Sequence, residues 1–317
     1  MRLSDKTKQT RHLISQLAKG AHTHLVTTHR DPDMDAIGSM MGWSACLKDL
    51  GHHVHPWMAD PVPEWLHLQV DVVDIVSAIP QSQYDVIWVL DCADDKRVAN
   101  LDALRACQGV MVNVDHHVDN TGFGDYAVIE PVSSVGELLA CMAYEANLPV
   151  SVQAATWWMA AIVADTGRFL FPNTTASTFD TVRWLVECGG NMNLVTQFLE
   201  ESLTSTGLEA IRQALNSVRL DPTGQVALTI LPDGMEEGVA VIRILRQVKS
   251  IEVVAVLRSL PSGDIRVNLR SKQRVAVNEV AHQFGGGGHE RAAGLTLRMP
   301  LHEAADTILT ALTDALS

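Results

Sequence analysis

Basic residues are in short supply in this chain: 24 Lys and Arg stand against 37 Asp and Glu, a formal net charge of −13. That balance excludes a protein that coats long nucleic acid through a basic surface, because phosphate neutralisation needs clustered cations. It leaves room for a short anionic substrate, since bound divalent cations reverse the local field. Cysteine is sparse as well. The five residues (Cys46, Cys92, Cys107, Cys141 and Cys188) are odd in number and lack C-x-x-C spacing, which fits reduced thiols in a cytosolic protein rather than a disulfide framework. The longest apolar stretch, around AATWWMAAIVA, is too short to span a bilayer and leads straight into Asp165. The N-terminal MRLSDKTKQTRHLISQLAKG has no signal-peptide apolar core. The expected location is cytoplasmic, with no membrane partner. No repeat or low-complexity tract is present.

What the chain does have is apolar residues, 47% of its 317, with 19% charged. This supports proper cores and two ordinary domains. Residues 5–19 carry Leu13, Ile14 and Leu17 at helical spacing. A strand at 22–29 precedes a helix from about Ala36 to Leu50, and a second short strand follows at 52–59. The apolar runs 84–91 and 109–115 read as strands covered on both faces. Helical patterns follow at 134–147, 152–164 and 176–188. Strands alternating with helices predict an α/β fold, a doubly wound, mostly parallel sheet.

After Gly190 the texture changes. Residues 191–221 read as a helical linker, and 222–317 as a smaller α/β domain with a mixed sheet. That domain has strands at 225–231, 251–259, 265–271 and 293–298, and helices near 236–248, at 275–284 and at the C-terminus.

Four apolar runs in the first 190 residues end in carboxylates or histidine: HLVTTHRDPDMD, YDVIWVLDCAD, GVMVNVDHH and WWMAAIVADTG. In an open α/β sheet the chemistry sits at the carboxyl ends of the strands. His29, Asp33, Asp35, Asp91, His116 and Asp165 thus form a candidate metal centre. Two imidazoles with four carboxylates make a hard O/N donor set, suited to Mn²⁺ or Mg²⁺ and without the thiolates of structural zinc. Two ions fit this many ligands if one carboxylate bridges them, which points to hydrolysis of a phosphoester or phosphoanhydride.

A second constellation is FGGGGHERAAG, residues 284–294. Consecutive glycines weaken any regular element. The backbone N–H groups of Gly286, Gly287 and Gly288 are therefore read as an anion cradle beside His289 and Arg291. VNLRSK supplies Arg270 and Lys272 to the same domain, which would act as a substrate clamp facing the metal domain. Arg168, just after Asp165-Thr166-Gly167, reads equally as a substrate contact or an ion-pair partner. His52, His53 and His55 read as a solvated edge strand, Trp157, Trp158 and Met159 as core, and Ser133 and Ser134 as a helix cap.

The order HxxxDxD, LDCAD, DHH, ADTG and GGGGH resembles the DHH phosphoesterase family with its DHH-associated C-terminal domain, over nearly the whole chain. DHHVDNTGFGD, ADTGRFLFPNTT and GGGGH are most similar to its stand-alone nanoRNase/pAp phosphatase branch. The resemblance implies two Mn²⁺ (Mg²⁺ or Co²⁺ as substitutes) on residues matching His29, Asp33, Asp35, Asp91, His116 and Asp165, with Asp91 as the bridge. It implies a catalytic role for His117 at the scissile phosphate or as general acid, with Asp115 orienting the histidine pair. It also implies that the glycine loop, His289 and Arg270 bind a terminal phosphate or nucleotide. Met34 and Asp31 depart from the usual first motif at positions that are not ligands. Glu290 stands where Pro is frequent, a carboxylate that would weaken or redirect phosphate binding.

The expected activity is hydrolysis of very short RNA from one end to mononucleotides, together with removal of a phosphate from pAp. Its partners would be short RNA, pAp or pApA, not long duplexes, and a homodimer is left open. The alternatives are cyclic-dinucleotide or pApA cleavage, inorganic pyrophosphatase, and a non-catalytic nucleotide sensor.

Overall fold

The computed structural model describes residues 16, 22–60, 75–98, 100–200, 204–233 and 238–316. The helix expected over 5–19 lies, but for residue 16, outside them. The chain divides into two compact units, Met1–Ser202 and Leu203–Ser317.

In the first unit β1 (Thr23–Thr28), β2 (His53–Pro56), β3 (Gln83–Leu90), β4 (Gln108–Asp115) and β5 (Tyr126–Ile129) form one sheet. All pairings are parallel, in the order β2-β1-β3-β4-β5. The doubly wound, parallel α/β architecture expected from the alternation of elements is the one found. Alternate residues of β3 face opposite layers. Trp88 and Leu90 join the larger core with α1 (Met34–Asp49), α3 (Val135–Glu145), α4 (Val152–Asp165), α5 (Ala176–Glu187) and α6 (Met192–Glu200). Ile87 and Val89 join a smaller core with Leu104 of the short α2 (Leu101–Arg105).

Helix α4 is buried from Ala154 to Val163, so it lacks the polar face of a surface helix. Trp43 of α1 meets Trp88 edge-on at 5.0 Å, and Trp157 of α4 stacks on Phe198 at 4.7 Å. Each such side chain contributes roughly 1.5–3 kcal/mol on burial. This packing carries Asp165 to the end of α4. None of the helices among the described residues is long and apolar enough to cross a membrane.

Side-chain caps start the helices that carry the site. Asp33 Oδ1 accepts from Ala36 N–H at α1, and Ser134 Oγ accepts from Glu137 N–H at α3. Thr175 and Thr178 form a capping box at α5.

The second unit is built on a mixed sheet, order β10-β11-β9-β8-β7-β6. Its strands are β6 (Arg219–Leu220), β7 (Val226–Ile230), β8 (Val253–Ser259), β9 (Ile265–Ser271), β10 (Gly287–His289) and β11 (Ala292–Leu297). Only β7 and β8 pair in parallel. Helices α7 (Ser205–Asn216), α8 (Gly238–Gln247), α9 (Val277–Gln283) and α10 (Leu301–Asp314) complete it. The residues before Gly238 in the helix expected near 236–248 lie outside the described ones. β9 alternates strictly: Ile265, Val267 and Leu269 are buried, while Arg266, Asn268 and Arg270 are half-exposed on the other face.

Candidate metal centre

In the strand order of the first unit the connections reverse direction between β1 and β3. A crevice opens at such a switch point, outside the carboxyl ends of the strands. His29 follows β1 and Asp91 follows β3, one on each side of it. Asp91 has a left-handed backbone (φ 55°), a conformation costly for a residue with a Cβ and often found where a side chain must be aimed.

Three ligand-competent triplets meet here: His29, Asp33 and Asp91; Asp35, His116 and Asp165; and Asp91, His116 and His117. Within each, the donor atoms lie within 4.8 Å of one another. Asp91 and His116 belong to two triplets each. His29 Nε2 stands 3.6 Å from Asp91 Oδ2. His116 Nε2 stands 3.7 Å from Asp91 Oδ1, 3.9 Å from Asp35 Oδ2 and 4.0 Å from Asp165 Oδ2. The six residues singled out as ligands in the sequence thus lie in one cluster.

Three observations show that these groups suit a divalent cation. The first is that Asp91 Oδ1 is buried without a hydrogen-bond partner, a cost that a bound ion removes. The second lies in the histidine tautomers. His29 Nδ1 donates to the Arg30 carbonyl at 2.7 Å and His116 Nδ1 to the Val132 carbonyl at 3.2 Å, so both Nε2 lone pairs face the carboxylates, the arrangement metal-bound histidines adopt. The third is carboxylate crowding. Burial, then the charges of Asp91, Asp165 and Asp33, push the Asp35 pKa well above the usual range. Burial, with Asp91 and Asp33 adding and His116 opposing, lifts Asp165 to about 6. Such a cluster carries more negative than positive charge, and a divalent ion offsets the excess.

Asp35 is further held by the start of α3. Val135 and Gly136 N–H donate to its carboxylate at 2.8 and 3.0 Å, and Ser39 Oγ donates at 3.1 Å. A helix N-terminus is suited to an anion. Asn173 Nδ2 ties the Asp165 carbonyl (3.1 Å) to that of Ser133 (3.0 Å).

Behind the cluster runs a polar chain that sequence reasoning missed beyond Asp115 and His117. His117 Nδ1 donates to Asp115 Oδ1 at 2.8 Å, Asn120 Nδ2 donates to Asp115 Oδ2 at 2.6 Å, and Asn120 also meets Asn113 Oδ1 at 2.9 Å. Burial acts to raise the Asp115 pKa, but the bonds from His117 and Asn120 more than reverse it. The same Asp115 bond, against burial, lifts His117 to about 9. A signal was available: Asn113 is an amide inside a buried strand, and such a group needs a partner.

The residues proposed for substrate contact are scattered more widely. The glycine run is not a loop throughout, because Gly287–His289 is the edge strand β10, paired with β11. Two glycines of the run, Gly286 and Gly288, answer a packing demand. A Cβ on Gly286 would clash with the Gly294 carbonyl oxygen, and one on Gly288 (φ 136°) would stand 2.5 Å from the Ala292 carbonyl oxygen. His289 is exposed, and Ala292 is flanked by His289 on one strand and Arg270 on the other. Arg270 is half-buried; burial and then Arg246 lower its pKa. Arg291 is occupied, donating to the Val275 carbonyl at 2.9 Å and pairing with Glu290 at 2.8 Å. Arg168 is exposed on the turn after Asp165. His52, expected to be solvated, is buried against His22 and His24.

A parallel α/β sheet with this donor set at its switch point belongs to the class of metal-dependent phosphohydrolases. Residues 23–162 match the DHH family, N-terminal domain, and residues 224–317 match the DHHA1 domain, so the chain belongs to the DHH family. It is 29% identical over 314 residues to the bifunctional oligoribonuclease and PAP phosphatase NrnA of Thermus thermophilus, covering 96% of this chain and 94% of that protein. It is 27% identical over 339 residues to the cyclic-di-AMP phosphodiesterase PdeA of Listeria monocytogenes, covering 98% of this chain and 51% of that one. Among solved structures, an exopolyphosphatase-related protein from Bacteroides fragilis superposes with a TM-score of 0.87 at 22% identity, covering 98% of both chains.

Proposed function

We propose that the chain is a Mn²⁺-dependent phosphohydrolase that degrades very short RNA to mononucleotides and removes a phosphate from pAp. The observation that carries this is the cluster of three ligand triplets sharing Asp91 and His116, together with the near full-length similarity to an oligoribonuclease and PAP phosphatase. His29, Asp33 and Asp91 would hold one ion and Asp35, His116 and Asp165 the other, with Asp91 common to both. Hard oxygen donors with two imidazoles suit Mn²⁺, with Mg²⁺ or Co²⁺ as substitutes. Once bound, the ions supply Lewis acidity to the phosphoryl oxygens and to water at neutral pH.

The chain's own residues then do the following. His117, whose pKa stands at about 9, holds a proton at neutral pH and gives it to the leaving oxygen. Asp115 and Asn120 fix the His117 ring and its tautomer. Asn173 and the start of α3 keep Asp165 and Asp35 in place. Arg270, His289 and the backbone of Gly286, Gly287 and Gly288 bind the far phosphate or nucleotide. Arg168 is a further contact, and Arg291 is a weaker candidate because Glu290 already pairs with it.

Charge distribution supports this assignment. Residues 1–202 hold 25 acidic and 12 basic side chains, whereas residues 203–317 hold 12 of each. An anion is therefore repelled least by the second unit, and is attracted to the first only where cations sit. The free thiols and the acidic surface agree with a cytoplasmic setting.

The test is a turnover panel on metal-stripped protein, with and without Mn²⁺, using pAp, pApA, cyclic di-AMP, RNA of graded length and pyrophosphate. The expected result is Mn²⁺-dependent cleavage of pAp and of RNA, falling steeply with length. Preference for cyclic di-AMP or pyrophosphate, or equal rates on long RNA, would overturn the substrate assignment.

A further inference from the structure

The two most exposed large apolar side chains among the described residues are Val118, 94% exposed, and Leu170, 82% exposed. Both lie on loops that leave the metal centre. Val118 is two residues past His116, and Leu170 is five past Asp165, while His116 and Asp165 approach to 4.0 Å. Phe171, next in the chain, is 50% exposed. Single exposed apolar residues need no explanation, but three on the two loops that leave one site do.

The exposure is built in. Gly167, Arg168 and Phe169 have consecutive left-handed backbones (φ 54°, 62° and 65°), which residues with a Cβ adopt only when the surroundings enforce it. The enforcement is visible on both sides of the turn. Thr166 Oγ1 donates to the Ile162 carbonyl at 2.6 Å and accepts from Phe169 N–H at 3.1 Å, and Phe171 N–H donates to the Thr166 carbonyl at 2.9 Å. Downstream, Asn173 ties the turn back to Asp165. This twist turns Phe169 inward, 5.3 Å from Phe179 and against the main core. It leaves Leu170 and Phe171 outward. The Phe171 ring lies flat on Gly167, where a Cβ would stand 2.5 Å from it. The ring therefore has one face covered by the backbone of Gly167, two residues past Asp165, and is open on its other side.

We propose that Val118, Leu170 and Phe171 form an apolar platform that receives the nucleobase attached to the phosphate at the metal centre, with Phe171 as the stacking ring. The inference rests on the phosphohydrolase reading above and names what distinguishes a nucleotide from a bare phosphate there. A base has two apolar faces, and stacking on an aromatic side chain is tolerant of its identity. The platform thus selects nucleotides over inorganic polyphosphates without selecting one base.

The probe is a phosphorothioate-linked dinucleotide containing 2-aminopurine, titrated into the full chain with Mg²⁺, beside an abasic analogue measured by competition. The wild type is expected to quench 2-aminopurine. The Leu170→Ser/Phe171→Ala variant, and to a lesser degree Val118→Ser, should lose the quench and bind the probe about tenfold more weakly. Binding of the abasic analogue should not change. Phe171→Trp, which keeps a ring, should retain the quench and guards against misfolding of the truncated variants. Equal weakening toward both ligands, unchanged quenching in the double variant, or loss of quenching in Phe171→Trp would overturn the proposal. So would a concentration-dependent dimer in sedimentation that the double variant abolishes, since the patch would then bind a second copy. A wild type that binds the probe but cleaves neither pAp nor unmodified short RNA would sink the hydrolase reading and leave the platform standing. Cleavage with wild-type binding by the double variant does the reverse.

Discussion

At the carboxyl end of the five-stranded sheet, His29 and His116 give their Nδ1 protons to main-chain carbonyls and present Nε2 to carboxylates. At the opposite end, His22, His24 and His52 also cluster, with His24 and His52 ring centroids 4.9 Å apart and Asp85 3.7 Å from His22. There the hydrogen bonds run the other way. Trp88 Nε1–H donates to His24 Nδ1 at 3.2 Å, and the His22 N–H donates to His52 Nδ1 at 3.1 Å. Both rings must then carry their proton on Nε2, and no ligand triplet forms at that end among the described residues. Histidines near a carboxylate do not make a metal site. What decides is which ring nitrogen the second layer of hydrogen bonds leaves free.

Asp91→Ala is the sharpest way to break this contrast, because Asp91 is shared by two triplets. The several kcal/mol that a Lewis-acid ion supplies correspond to a loss of about 10³-fold or more in turnover. Steady-state rates together with Mn²⁺ stoichiometry by mass spectrometry check it. A variant that keeps two ions and full activity would show that Asp91 is only a buried polar residue.

A smaller effect is expected one layer back. Asn120→Ala removes the donor to Asp115 Oδ2 and leaves every proposed ligand in place. Outer-layer partners of this kind are worth about 10–100-fold, and the loss should fall on kcat with Mn²⁺ stoichiometry unchanged. A drop in metal content instead would mean that the Asn113-Asn120-Asp115 chain supports the ions rather than His117.

The carboxyl end was legible in the sequence because apolar strands that stop at Asp or His declare both a strand end and a reactive group. The parallel sheet was legible for the same reason: β3 and β4 are apolar runs flanked by helical periodicity. β5 was missed, being four residues long with two of them exposed. Part of the glycine run was read as loop where it is strand β10, because the reason for a glycine lies in what comes near it. The contact that Gly286 and Gly288 make with β11 depends on a hairpin that no local pattern announces. Tautomers were invisible for a similar reason. The partners of His24 and His116 are 64 and 16 residues away in sequence, and only the fold brings them into range.

The quiet end of the sheet makes the last and smallest prediction. His24 is fully buried, and burial, then the nearby His52 and His22, lower its pKa from 6.5 to about 3. The fold therefore holds His24 neutral, whereas the unfolded chain takes up a proton below about pH 6.5. Stability from this residue is complete above that pH and is lost as pH falls toward 3, by at most about 1.4 kcal/mol per unit. In His24→Gln, which can still accept from Trp88, that slope should vanish, so wild type and variant converge as pH drops from 7 to 5. Urea unfolding in EDTA measures the gap without metal loss intruding, and parallel pH profiles would show that His24 is not held neutral. Mn²⁺ stoichiometry should be the same in both. If it falls in His24→Gln, the amino end of the sheet binds metal too, and the tautomer argument that separates the two ends fails.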